Sequence, residues 1–482
     1  MEKIESRNPR RTKIVCTIGP STESEPMIEK LVRAGMDCAR LNFSHGILER
    51  HARVISTIRK VSRSLGKQIA IMQDLPGPKI RVGKLPSEFI DIKRGDTVFL
   101  EGAEEVKNDQ RYIPISYANL GKYVEKGSDI YLSDGAIKLR VLEAEENRIK
   151  CICSTGGRLL SGKGVNIPKL KHGFKAFTEK DEEFLRFGLE KGVDLVAVSF
   201  VRTADDIRQV RRFTKKAGEE PAIIAKIEKR EAVENLKSII DASDSVMVAR
   251  GDLGVENPIE RVPVIQKMII SDCKAAGKPV ITATQILESM VNNPTPTRAE
   301  VSDIANAILD GTDALMLSEE TAVGKYPVEC VQVLHKVSTI IEEKIIARED
   351  VRDYHEDLKD SLSEAAYVLS RRISAKFILS LTNSLAMATK ISRFRPKAPI
   401  VAFTNDERQS RKLNIVWGVY PSVITKKRNL TDLMSDSIKG LKEYWPVRPS
   451  DRIVIVCDDV SLSGQTGELI FAMELADRVL LT

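Results

Sequence analysis

Lys226 and Glu228 stand two positions apart in the segment IIAKIE, and Asp252 follows in VMVARGDLG. An ammonium group inside the apolar run 223–227 costs several kcal/mol to bury alone, so Lys226 needs a partner. A Schiff-base lysine and a phosphate-binding lysine both fit. Arg40 and Arg81 favour phosphate, because guanidinium forks match phosphoryl oxygens. Glu228 and Asp252 offer two hard oxygen ligands of the kind magnesium accepts, with water and substrate completing its shell. The same two carboxylates would equally serve as charge partners for Lys226 and Arg250. Three cations beside a carboxylate pair suit phosphoryl transfer, in which positioning and charge neutralisation supply most of the catalysis.

Other polar residues fall at comparable places: Asn42, Ser44, His45, Asp74 and Lys79 early in the chain, and Thr284, Ser318 and Glu320 later. His45 alone reads as structural or catalytic with equal ease. No Ser-His-Asp set is apparent, which argues against acyl transfer. Gly251 and Gly254 allow a ligand close to the backbone. In PTPTRAE, Thr297 and Glu300 form a capping box, and helix initiation explains them fully.

These residues gain meaning from the elements beneath them. Eight apolar, β-rich runs recur at 13–18, 37–43, 68–73, 193–200, 222–227, 245–249, 279–284 and 314–317, mostly with helix-favouring segments between them. This alternation predicts parallel strands joined by crossover helices, and almost every strand would deliver a polar group to one rim. One long gap follows the third run. Setting aside 82–176 leaves 81 residues before it and 179 after it up to residue 355, close to the roughly 250 of an eightfold β/α barrel. The alternative is an open doubly wound sheet. The gap itself alternates with period two between Gly, Asp and Asn turns, which predicts an antiparallel β lid. From 356 onwards a helix (Leu358–Arg372) precedes FILSL, PIVAF, VYPSVI, RIVIVC and RVLLT, a separate α/β unit read as regulatory or assembly-related. The expected fold is therefore α/β: a (β/α)8 TIM barrel (1–81 and 177–355), an inserted all-β lid (82–176) and a C-terminal α/β domain (356–482).

Composition narrows the function classes. With 42% hydrophobic and 30% charged residues the 482-residue chain reads as globular, and a formal charge of +7 is a mild excess. The insert lacks clustered aromatics for base stacking, so nucleic acid is not an expected partner. Seven scattered cysteines, an odd number, indicate buried reduced thiols. No run long enough to span a membrane occurs and the charged N-terminal segment lacks a signal-peptide core, so the expectation is a cytoplasmic protein with no membrane partner.

The segments TKIVCTIGPST, ARLNFSHG, DLPGPKIR, GKGVNIP, IIAKIEKREAV, VMVARGDLGVE, ITATQILESM and PTRAEVSDIANAILDGTDALMLSEETAVGKYP closely resemble the pyruvate kinase family along nearly the whole chain. That resemblance implies a homotetrameric, allosteric phosphotransferase that moves a phosphoryl group from phosphoenolpyruvate to ADP, giving pyruvate and ATP. It implies that Lys226 stabilises the phosphoryl group in flight and that Glu228 and Asp252 bind Mg2+, with Mn2+ as an alternative. Arg40 contacts phosphate, and Gly251, Asp252 and Thr284 hold the substrate. Asn42, His45, Arg81 and the lid residue Lys163 face the nucleotide, while Thr284 and Ser318 belong to a proton relay. Two departures stand out. Potassium-dependent members resemble one another in an Asn, Ser, Asp, Thr set followed by Glu. Here Asn42, Ser44 and Asp74 match, but Leu75 replaces Thr and Lys79 replaces Glu, which predicts that K+ is not required. In TNSLAMATKISRFRP, Leu385 stands where effector-binding members have glycine, which argues against fructose-bisphosphate control even though Ser384 remains. The competing readings are a Schiff-base aldolase using Lys226 and a basic scaffold protein.

Overall fold

The computed structural model describes residues 9–102, 109, 111–133, 135–168, 176–344, 357–381, 386–424, 430–462 and 465–475. All eight expected runs form strands: β1 (Lys13–Thr17), β2 (Cys38–Asn42), β3 (Ala70–Asp74), β4 (Leu195–Val198), β5 (Ala222–Ile227), β6 (Ser245–Ala249), β7 (Val280–Ala283) and β8 (Ala314–Leu317). They close into a parallel barrel in chain order, β8 pairing with β1. Strands covered on both faces should read as continuous apolar runs. Only Arg40 and Asn42 in these eight strands escape full burial. Inside the barrel, Val15, Met72, Ile224, Met247, Ile281 and Met316 meet in one cluster, which also takes in Ile415 from the C-terminal unit.

The barrel base repeats one device four times. Asp37, Asp194, Asp244 and Asp313 each stand immediately before an even-numbered strand and accept an N–H from the preceding odd-numbered one. The donors are Ile14 at 2.8 Å, Ile71 at 2.8 Å, Ile223 at 2.7 Å and Val280 at 3.0 Å. An arginine neutralises each carboxylate: Arg10, Arg59, Arg211 and Arg395, with Arg411 as a second partner of Asp194. The strand starts are thus satisfied by charge-assisted hydrogen bonds.

The insert leaves on the strand Ile80–Arg81 and returns on Gly164–Asn166, which pair antiparallel with Gly164 opposite Arg81. Between them lies a β unit with its own core of Ile130, Leu132, Ile137, Leu139 and Cys151. One pair departs from the expected antiparallel pattern: Thr97–Gly102 runs parallel to Tyr112–Ile115.

The C-terminal unit is a five-stranded sheet with helix Leu358–Arg372 packed on it. Four of its expected strands form, and an unforeseen edge strand, Gln465–Glu474, pairs antiparallel with Arg452–Leu462. RVLLT, the residues Ser384 and Leu385, and residue 355 at the expected boundary lie outside the described residues. All seven cysteines are buried and unbonded. Among the described residues, no helix is long and apolar enough to cross a membrane.

Candidate functional site

The C-terminal ends of the barrel strands gather most of the singled-out residues. Lys226, near the end of β5, is almost fully buried. Its Nζ lies 2.9 Å from Glu228 Oε1 and 3.1 Å from Asp74 Oδ1, and donates to Ser199 Oγ at 2.7 Å. Burial alone would lower its pKa, but the charges of Asp74 and Glu228 outweigh burial and hold it above the ordinary lysine value. Asp74, at the end of β3, is buried too. Burial opposes its ionisation, yet Lys226 and Arg40 keep its carboxyl below the usual range. Arg40 Nε donates to Asp74 Oδ2 at 2.7 Å and Nη1 to Thr17 Oγ1 at 2.9 Å. Four strands, β1, β2, β3 and β5, therefore meet in one network.

Glu228 accepts the Phe200 N–H on Oε2 at 2.7 Å. Burial raises its pKa; Lys226 opposes this, and the Asp252 charge adds to it. Asp252 sits just beyond β6, in a short helix opened by Arg250. The expected alternative pairing is half met. Glu228 does pair with Lys226, whereas Arg250 pairs with Asp303 at 2.7 Å and Asp252 faces Lys79 at 3.6 Å. Two carboxylates at the ends of neighbouring strands offer hard oxygen ligands to a divalent ion that takes its other ligands from water and substrate, although no group of three or more His, Cys, Asp or Glu that could hold a metal occurs among the described residues.

A second cluster joins β6, β7 and β8. The Gly251 N–H donates to Thr284 Oγ1 at 2.9 Å, and Thr284 Oγ1 donates to the Ala283 carbonyl at 2.6 Å. Thr284 and Gln285 both take positive φ, +67° and +53°, a strained pair for residues with side chains. Arg250 braces the turn by donating from Nη2 to the Thr284 carbonyl at 2.7 Å. Glu320 accepts the Leu287 and Ser318 N–H groups at 3.0 and 2.7 Å, fixing the end of β8.

The remaining residues lie apart from these clusters. Asn42 Oδ1 accepts the Ser44 N–H at 3.1 Å. His45 is exposed, and its pKa is lowered by partial burial and by Arg81, Arg40 and Lys79. Arg81 Nη1 donates to the Gly162 carbonyl of the lid at 2.9 Å rather than to the barrel rim. Lys163 is exposed on the lid. Leu75 is buried, its N–H bonded to the Ala197 carbonyl. Sequence reasoning missed Thr17, Ser199 and Asn166, whose Nδ2 reaches Asp252 Oδ1 at 3.4 Å. A hydroxyl at the end of each apolar run was the available signal for the first two.

Residues 9–331 match the family "Pyruvate kinase, barrel domain" and 360–469 match "Pyruvate kinase, alpha/beta domain". The chain is 44% identical to a pyruvate kinase of Thermococcus litoralis over 89% of its own length and 92% of that protein's. Against a pyruvate kinase of Staphylococcus aureus strain MRSA252 the identity is 42%, over 95% and 79%. A crystal structure of a pyruvate kinase from Cryptosporidium parvum superposes with a TM-score of 0.89 at 33% identity, covering 97% of this chain and 96% of that one.

Proposed function

The chain belongs to the pyruvate kinase family, and from that premise we propose that it transfers the phosphoryl group of phosphoenolpyruvate to ADP, giving pyruvate and ATP. The observation that carries this reading is the Lys226 ammonium, buried and held charged between two carboxylates and a hydroxyl at the strand ends. A charge fixed there in advance stabilises a migrating phosphoryl group without reorganising during the reaction. The aldolase reading needs a neutral amine, and the charges around Lys226 oppose one.

In this proposal Glu228 and Asp252 hold Mg2+, or Mn2+ in its place. The ion supplies neutralising charge to phosphoryl and enolate oxygens. Arg40, fixed by Asp74 and Thr17, addresses the phosphate. The Gly251 amide and Thr284 hold the carboxylate end of the substrate. Asn42 and His45 face the nucleotide, and Arg81 and Lys163 approach it on lid closure. Thr284 and Ser318 pass the proton that the enolate requires. K+ is not needed, because Leu75 removes an oxygen ligand and Lys79 supplies a fixed cation at the rim. The division into 1–81 with 177–355, 82–176 and 356–482, a homotetramer, effector control and a cytoplasmic location are proposed on the family likeness.

The test is pyruvate formation from phosphoenolpyruvate, ADP and Mg2+ in sodium-only buffer, then with potassium added. Full activity in sodium is expected. Activity only with potassium would overturn the role of Lys79, and none in either buffer would overturn the kinase reading.

A further inference from the structure

Glu228 lies one residue beyond β5 and Asp252 three beyond β6, while pairing between those strands stops at Ile227 opposite Val248. The barrel ladder therefore does not by itself fix the gap between the two carboxylates. Neighbouring side chains supply what it lacks. Lys229, which follows Glu228, donates from Nζ to Glu256 Oε1 at 2.6 Å. Glu256 closes the helix Arg250–Glu256, one turn after Asp252. Its side chain has no exposed surface, and that of Lys229 is 15% exposed. Breaking such a pair from one side is costly, because the remaining charge is left buried without a partner. The Lys229 ammonium also lies 5.8 Å from the centre of the Phe200 ring, and the Phe200 N–H is the group bonded to Glu228 Oε2 at 2.7 Å. Residue 77 must be small to admit that ring: a Cβ on Gly77 would stand 2.9 Å from Phe200 Cδ2. A closed circuit thus runs from Glu228 through Phe200, Lys229 and Glu256 to Asp252.

We propose that Lys229 and Glu256 are positioning residues for the divalent ion: their ion pair sets the separation of Glu228 and Asp252 and thereby the affinity of the metal site. This rests on the reading of Glu228 and Asp252 as the metal ligands. Magnesium tolerates little departure from octahedral geometry at short ligand distances, so a drift of either carboxylate costs affinity. Groups that orient metal ligands from behind matter for the same reason. Charge and geometry make opposite predictions for Lys229. As a cation beside a cation site, its charge opposes metal binding, and removing that charge alone would tighten the site. Through the pair with Glu256 it holds Asp252 in place, and removing it loosens the site. The geometric effect is the larger, because Lys229 is already neutralised by Glu256.

The test is titration of the full chain with Mn2+, without nucleotide or phosphoenolpyruvate, read by the electron paramagnetic resonance of the free ion. One Mn2+ per chain should bind, and D252N should abolish it. K229M should weaken binding about tenfold or more. R230M, which removes the adjacent cation and its exposed pair with Glu234, should not weaken it. K229M/E256Q removes the clasp with no change in net charge and no stranded carboxylate. It should also weaken binding about tenfold or more, and it keeps the test open if K229M does not fold. Mn2+ bound by K229M or K229M/E256Q as tightly as by the wild type, or more tightly, would overturn the clasp alone. Mn2+ binding that is absent from the wild type or survives D252N would overturn the metal site and the clasp with it. Pyruvate formation in sodium buffer tests the kinase reading separately.

Discussion

Lys226 was legible because a charged side chain in an apolar run has no bland explanation without a partner. Glu228 was the one partner the sequence offered, and the others were not legible. Asp74 and Ser199 reach it only through the barrel register, from strands far apart in the chain. Thr17 and Ser199 resemble any buried strand hydroxyl until that register is known. Closeness in sequence offered Arg250 as an alternative partner for Asp252, yet the helix after β6 turns Arg250 towards Asp303. Replacing Lys226 with Met should lower turnover by at least about two decades, roughly 3 kcal/mol of transition-state stabilisation, with phosphoenolpyruvate still binding by fluorescence titration. Turnover like that of the wild type would refute its role. Lys13 gives a separate expectation. Burial drives its pKa down to about 8, against the opposing charge of Asp37, while Nζ donates to the Val419 carbonyl at 2.6 Å. The folded chain therefore binds fewer protons than the unfolded chain between about pH 8 and the ordinary lysine value of 10.5. Stability should rise with pH across that window relative to a Lys13→Met variant. Urea midpoints for the two proteins that track in parallel from pH 7.5 to 10 would refute this.

At the level of elements, periodicity located all eight barrel strands and the helix Leu358–Arg372, and the Thr297–Glu300 capping box forms as read. The aspartates of MDCARLN, VDLVAV, SDSVMV and TDALML escaped notice. Each looks like an ordinary turn residue, and only pairing with the previous strand reveals the fourfold repeat. The edge strand Gln465–Glu474 was missed for a similar reason, since it lacks clean alternation and is defined by its partner. Asp194 is the most committed of the four aspartates: its carboxylate is fully buried, bonds the Ile71 N–H, and faces both Arg59 and Arg411. Asp194→Ala should cost about 3–5 kcal/mol, because it strands two largely buried guanidinium groups. Chemical denaturation would show this as a lower midpoint, and a change below about 1 kcal/mol would contradict the structural role assigned to the repeat.

For the molecule as a whole, strand count and total length favoured the closed barrel over an open sheet, and the long gap marked the insertion. How the C-terminal unit docks was invisible in sequence, because Ile415, Arg411 and Arg395 are unremarkable until they meet the barrel base. The parallel pair inside the lid was likewise hidden, since alternation does not encode strand direction. The lid's two ends meet as a ready-made hairpin, Arg81 opposite Gly164, while beneath them β3 and β4 pair directly and Asp194 clasps Ile71. The barrel therefore closes without any contribution from the lid. In construction terms, the lid is a cassette in a socket that two added residues could seal. A chain with 82–163 replaced by Asn-Gly, a pair suited to a tight hairpin turn, should unfold cooperatively by circular dichroism and retain little phosphoryl transfer. Loss of the folded barrel in that chain would mean that the graft is an organ of the fold rather than an accessory to it.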